Sequence, residues 1–212
     1  IATIGAIGDW YFPDYAEEFK KQYPDILPED VKTVEKALLE TKAGVLIKLF
    51  SFNLKGSTSE VNTSIKVLTR INSPYEILNQ ETPAGKLLWK KYEKINADYE
   101  KLLTQALKQK TNDLFIVFTY KEDRLSLTKD LANELIARFP DKIIILGREK
   151  EDEVRCSLRA GTQVRLDLAL EKALVGIEGY GGGHEQACGA AIKKHDFERF
   201  LNNLREALKL IN

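Results

Sequence analysis

Leu114-Phe-Ile-Val-Phe-Thr-Tyr120 is a continuous apolar run built mostly from β-branched and aromatic residues. Such a run, without polar alternation, predicts a strand buried on both faces. Ile143-Ile-Ile-Leu146 repeats the pattern and is closed by Gly147. Between the two, Leu127, Leu131, Leu135 and Ile136 recur at helical spacing, so an amphipathic helix is expected from Leu127 to Phe139. Strand, helix and strand in this order make a right-handed βαβ unit. Downstream, Glu153-Val-Arg-Cys-Ser-Leu-Arg159 alternates Val154, Cys156 and Leu158 against charged or polar residues. That is a half-exposed strand, antiparallel to its neighbour. A helix over about Asp167 to Val175 and a last short strand from Gly189 to Lys193 follow. Phe197, Phe200, Leu201, Leu204 and Leu208 mark a terminal helix with Asp196 as its N-cap. The block from 111 to 212 is therefore a small α/β domain on a mixed sheet.

Upstream the periodicity changes. From Pro13 to about Lys110 the chain reads as helices: Val31, Val34 and Leu38 follow Pro28, and Val61, Ile65, Leu68 and Ile71 form a second stripe. The clearest helix begins at Thr82-Pro83 and ends at Asn112. Along it Leu88, Tyr92, Ile95, Tyr99, Leu102 and Ala106 alternate steps of four and three, an a/d seam. Packing on neighbouring helices and a short dimeric coiled coil both satisfy that seam. The opening Ile1-Ala-Thr-Ile-Gly-Ala-Ile-Gly8 reads as a buried strand ending at Gly8-Asp9-Trp10, as at the C-terminal edge of a parallel sheet. The expected organisation is thus a strand end over 1–12, a helical connector over 13–110 and an α/β domain over 111–212.

Composition bounds the function. The chain has 212 residues, 43% hydrophobic and 30% charged, which excludes a disordered or fibrous protein. Thirty-two Lys and Arg balance thirty-two Asp and Glu, so no polycationic arm is present, although a local basic patch is compatible. Two cysteines argue against a disulfide scaffold and for a reducing cytoplasm. No run of about 18 apolar residues predicts a membrane span. There is no Met, and the chain opens inside the expected first strand. A piece whose N-terminal part is missing is therefore expected.

Glu178-Gly-Tyr-Gly-Gly-Gly-His184 carries the strongest chemical signal. Consecutive glycines cost chain entropy, and their bare N–H groups can converge on an anion. His184 directly after Gly181, Gly182 and Gly183 can donate to the same anion. A phosphate-cradling loop and a flexible surface turn both fit this run. On a strand, Ser157 and Arg159 point to one face, where a hydroxyl and a guanidinium make a phosphate or carboxylate receptor. An ordinary exposed strand face is the alternative. Asp9, at the end of the first segment, suits a metal ligand or a turn equally, and one carboxylate cannot hold a divalent cation. His184 and Cys188 have no second pair to complete a zinc site.

Val154-Arg-Cys-Ser-Leu-Arg159, Gly181-Gly-Gly-His184 and Ala187-Cys-Gly-Ala190, followed by the amphipathic terminal helix, resemble the DHH-associated substrate-binding domain. That domain forms the C-terminal half of DHH phosphoesterases, among them RecJ-like exonucleases, oligoribonucleases and cyclic-dinucleotide phosphodiesterases. Ile4-Gly-Ala-Ile-Gly-Asp9 resembles the fourth motif of the DHH catalytic domain, whose aspartate binds manganese. The motifs that would supply the other ligands of two metal ions are absent from this sequence. The resemblance implies the end of a parallel-sheet catalytic domain, a connector and a substrate-binding domain. It implies a metal-dependent phosphodiesterase acting on single-stranded DNA or RNA or short oligonucleotides with Mn2+ or Mg2+. Asp9 would be the metal ligand; Ser157, Arg159, Gly181, Gly182, Gly183 and His184 would bind phosphate. The fragment alone would bind without cleaving. A non-catalytic replisome scaffold with replication or repair partners, and a cyclic-dinucleotide phosphodiesterase, are the alternatives. The same glycine-histidine domain ends alanyl-tRNA synthetases, but the match at Asp9 and the connector argue against that.

Overall fold

The computed structural model describes residues 1–109, 113–121, 125–161 and 163–209. The chain divides into two compact units, residues 1–101 and 102–212. The division falls inside the longest helix. The boundary expected at Thr111 and the helix end expected at Asn112 lie outside the described residues.

The first unit is helical: α1 (Ala2–Gly8), α2 (Ala16–Gln22), α3 (Val34–Glu40), α4 (Lys42–Asn53), α5 (Thr58–Leu68), α6 (Pro74–Leu78) and most of α7 (Pro83–Leu107). The strand expected over Ile1 to Ile7 is α1. Its apolar residues sit three apart, so Ile4 and Ile7 bury on one helix face while Ile1 stays exposed. A seven-residue run is too short for composition alone to separate strand from helix. The start expected near Pro28 moves to Val34, where the Thr33 side chain accepts the N–H of Lys36. Thr82 caps α7 as expected, its Oγ1 accepting the Gly85 N–H at 3.1 Å. The α7 seam is used within the chain. Leu88, Tyr92, Ile95 and Tyr99 are buried, and the Phe52 ring lies 5.8 Å from Tyr92 and 5.3 Å from Tyr99. Asn53 ties α4 to α7 by donating to Leu88 O at 3.0 Å.

The second unit is built on a five-stranded mixed sheet in the order β1-β2-β3-β5-β4. The strands are β1 (Phe115–Lys121), β2 (Ile143–Lys150), β3 (Glu153–Arg159), β4 (Gly179–His184) and β5 (Ala187–Lys193). β1 and β2 are parallel and joined through α8 (Thr128–Arg138); the other pairings are antiparallel. α9 (Leu166–Ala173) and α10 (Phe197–Lys209) complete the unit. Asp196 directly precedes α10, and its Oδ2 accepts the Glu178 N–H at 2.7 Å, pinning the entry to β4.

Strand alternation divides the sheet into two unlike faces. One face carries Ile143, Ile145, Val154, Cys156, Leu158, Cys188, Ala190 and Ile192, which form one core with the apolar stripes of α9 and α10. The other face carries Ile116, Phe118, Ile144 and Leu146, buried beneath α8 with its Leu131, Leu135 and Ile136. α8 packs on β2 and β3, and a single 11-residue helix cannot span five strands. Beyond α8 this face continues from the partly exposed Ser157 and Arg159 of β3 to β5 and β4, where Gly189, Tyr180, Gly182 and His184 are exposed; this is the open half-face.

Candidate functional site

The open half-face is assembled by register. Ser157 on β3 pairs with Gly189 on β5, which pairs with Gly182 on β4. Two residues along, Arg159 pairs with Ala187, which pairs with His184. In the other direction Arg155, Ala191 and Tyr180 form a third row. Directly opposed residues of a sheet share a face, so Ser157, Arg159, Gly182 and His184 all point to the same side. The small residues Ala187, Gly189 and Ala191 make a floor between two walls. Neighbouring strands lie about 4.8 Å apart, so the walls on β3 and β4 stand about 10 Å apart.

The glycine run expected as a loop is thus an edge strand, every residue of which is exposed. The glycines do two different jobs. A Cβ on Gly181 would lie 2.7 Å from Gly189 O, and one on Gly183 would lie 2.3 Å from Ala187 O and 2.6 Å from Cys188 Cα. These two permit the close seating of β4 on β5. A Cβ on Gly182 would meet nothing within 4 Å. Its bareness serves no packing inside the described residues, and it lies on the β4 wall between Tyr180 and His184, across Gly189 from Ser157. The hairpin turn that ends in His184 is fixed from outside: Glu185 O accepts Leu166 N–H at 2.7 Å and Gln186 O accepts Ala160 N–H at 3.1 Å.

Arg159 is the electrostatic centre of the half-face. Its Nε donates to Asn133 Oδ1 of α8 at 2.7 Å and one Nη donates to Leu158 O at 2.8 Å. Both acceptors are neutral. Arg138, Arg155, Arg165, Arg199 and Arg205 each reach a carboxylate. Arg159 forms no ion pair among the described residues. Burial draws its guanidinium below the usual arginine range, against the opposing fields of Cys188 and Asp130. A half-buried cation whose hydrogen-bond acceptors are both neutral has the chemistry to receive an anion. The Ser157 hydroxyl and the His184 ring make no hydrogen bond among the described residues, so their donors are available too.

Asp9 belongs to the first unit, where it follows α1 and is exposed. Its N–H closes the helix onto Gly5 O at 3.0 Å and Ala6 O at 3.1 Å. No group of three or more His, Cys, Asp or Glu among the described residues is placed to hold a metal ion. The described residues therefore do not build a metal centre. His184 and Cys188 point to opposite faces, since Cys188 pairs with Gly183 and joins the inner core. Two contributors had no signal in the sequence or an overlooked one. Asn133 reaches Arg159 from a helix position that periodicity leaves silent. Gly189, opposite Gly182, was visible as one of three small residues two apart on β5.

Residues 114–210 match the DHHA1 domain family. The match covers most of the second unit, residues 102–212. Three solved structures are similar to the chain. The pGpG-specific phosphodiesterase PggH from Vibrio cholerae is 14% identical with a TM-score of 0.57, over 93% of this chain and 68% of that one. RecJ with Mn2+ from Thermus thermophilus is 17% identical with a TM-score of 0.54, over 98% of this chain and 32% of that one. The DHH domain of a member of the s1p family of ribosomal proteins is 16% identical with a TM-score of 0.55, over 98% of this chain and 49% of that one. The chain therefore spans about two thirds of the first and a third of the second. No curated protein matches it by sequence. No helix among the described residues is long and apolar enough to cross a membrane.

Proposed function

We propose that the open half-face binds the phosphate of a single-stranded nucleic acid or short oligonucleotide, as the substrate-holding part of a DHH phosphodiesterase. The observation that carries this reading is the co-facial set of Ser157, Arg159, Gly182 and His184 around a floor of Ala187 and Gly189. Arg159 supplies the charge, Ser157 and His184 supply directed donors, and Gly182 lets the phosphate approach the backbone. Gly181 and Gly183 hold β4 in place rather than face the ligand. Asp9 is proposed as one ligand of a Mn2+ or Mg2+ centre, completed by groups other than the described residues. Phosphodiester hydrolysis is assigned to that centre, so the chain alone is expected to bind without cleaving. Similarity to RecJ and to a pGpG-specific phosphodiesterase supports the phosphoesterase class.

Short substrates are the favoured kind. The net charge is zero, and tracking a long strand requires many phosphate contacts and a basic groove. The test is the affinity of a 5′-phosphorylated tetranucleotide at fixed salt, read by fluorescence anisotropy. Arg159→Ala removes a charge-assisted contact worth about 1.5–3 kcal/mol, so roughly a 10- to 150-fold loss is expected. Unchanged affinity would overturn the phosphate-receptor reading, and manganese-dependent cleavage by the chain alone would overturn the division of labour.

A further inference from the structure

The third row of the half-face is unused by a phosphate. Tyr180 on β4 is 69% exposed, although it sits within a strand beside a well-packed sheet. An aromatic ring left in water forgoes burial that stabilises most rings. Tyr180 makes no hydrogen bond, ring contact or electrostatic contact among the described residues. The ring shares its face with Gly182 and His184, and Gly182 puts no side chain between them. Two residues along a strand advance about 7 Å, so the ring stands about one such step from the proposed phosphate position at Gly182. Across the trough its row contains only Ala191 before reaching Arg155. Arg155 is itself exposed and held by Glu153 at 3.3 Å.

We propose that Tyr180 is a stacking platform for the base of the nucleotide whose phosphate the Ser157–Arg159–His184 set receives. The inference rests on the phosphate-receptor reading and adds a further binding residue, one that favours nucleotides with an unpaired base over sugar phosphates or inorganic polyphosphate. Stacking on a ring is tolerant of base identity, since every base has a π-face. The platform thus selects for a base without selecting a sequence.

The experiment compares two ligands on the 212-residue chain by isothermal titration calorimetry: the adenine dinucleotide pApA and ribose 5-phosphate, which has no base. Tyr180→Ala is expected to weaken pApA by about 5- to 150-fold, the range for one base-aromatic stack, and to leave ribose 5-phosphate unchanged. Tyr180→Phe should retain the pApA affinity. Equal pApA affinity in wild type and Tyr180→Ala would overturn the platform. So would parallel losses for both ligands, or a Tyr180→Phe loss as large as that of alanine. Failure of the wild type to bind either ligand would overturn the phosphate reading beneath it.

Discussion

Replacing Gly182 and Gly183 separately by alanine should give opposite results. At Gly183 the new methyl would lie 2.3 Å from Ala187 O, 2.6 Å from Cys188 Cα and 3.0 Å from Cys188 Sγ. Two of those atoms are backbone, and β5 cannot yield because its far edge is paired to β3 from Ala187 to Lys193. The hairpin must part or shift, an overpacking cost of about 1–3 kcal/mol. A unit of about 100 residues loses about 4–8 °C per kcal/mol, so the melting temperature of the second unit should fall by roughly 4–24 °C. At Gly182 the methyl meets nothing within 4 Å, and Gly182 is not among the residues with positive φ. Alanine there should stabilise by about 0.4–1 kcal/mol through the unfolded chain. The same methyl stands on the β4 wall facing the trough, so oligonucleotide affinity should drop by about 10- to 150-fold, the range for one charge-assisted hydrogen bond. Scanning calorimetry reads the first effect, with hydrogen exchange of the β5 amides locating it; anisotropy reads the second. A Gly183→Ala protein as stable as wild type would refute the β4–β5 register. A Gly182→Ala protein that binds as before would refute Gly182 as the point of phosphate approach.

Asn133→Leu removes the 2.7 Å acceptor of Arg159 Nε but leaves the cation, so affinity should fall several-fold with the salt slope unchanged, whereas Arg159→Ala should lessen the slope by about 0.7. Equal slopes in the two variants would show that Asn133 does not act by positioning Arg159. Burial pushes the Cys156 thiol up to about 12 and raises that of Cys188 as well, so neither should react with a disulfide reagent at pH 8 before unfolding. Because the folded pKa of Cys156 is raised, its contribution to stability is intact below the unfolded thiol range and is lost as pH rises toward 12; rapid labelling of the native chain at pH 8 would contradict the buried placement.

Most of the second unit was readable because its signals were redundant. The β1 and β2 runs are long in β-formers, and every predicted apolar position of α8 and α10 is buried. The alternation of Val154, Cys156 and Leu158 correctly put Ser157 and Arg159 on one outer face. The readings that failed did so where local preference and tertiary pairing disagree. Gly179–His184 has almost no intrinsic strand preference, and becomes β4 only because Gly182 and its neighbours pair with β5. At Ile1–Ile7 the spacing of three between Ile1, Ile4 and Ile7 was a helical signal overshadowed by composition. Asn133 could not be found at all, since a polar residue on a helix has no sequence mark for the arginine it will meet.

The glycine motif also shows why reading it as a loop misassigned its parts. In a loop, Gly181, Gly182 and Gly183 would be equivalent donors around an anion. On an edge strand the period of two separates them. Gly181 and Gly183 turn toward the α9–α10 side, where any Cβ collides with β5. Gly182 turns outward with His184 and Tyr180. On the proposed reading, phosphate reception depends on one bare position flanked by one donor and one ring, set about 10 Å from Ser157 and Arg159 by two strand spacings. That distance comes from the insertion of β5 between β3 and β4, and hence from the sheet order itself. A ligand that reaches both walls must lie across the floor of Ala187, Gly189 and Ala191. Larger residues at Ala187 or Gly189 should therefore abolish binding even with Arg159 and His184 intact.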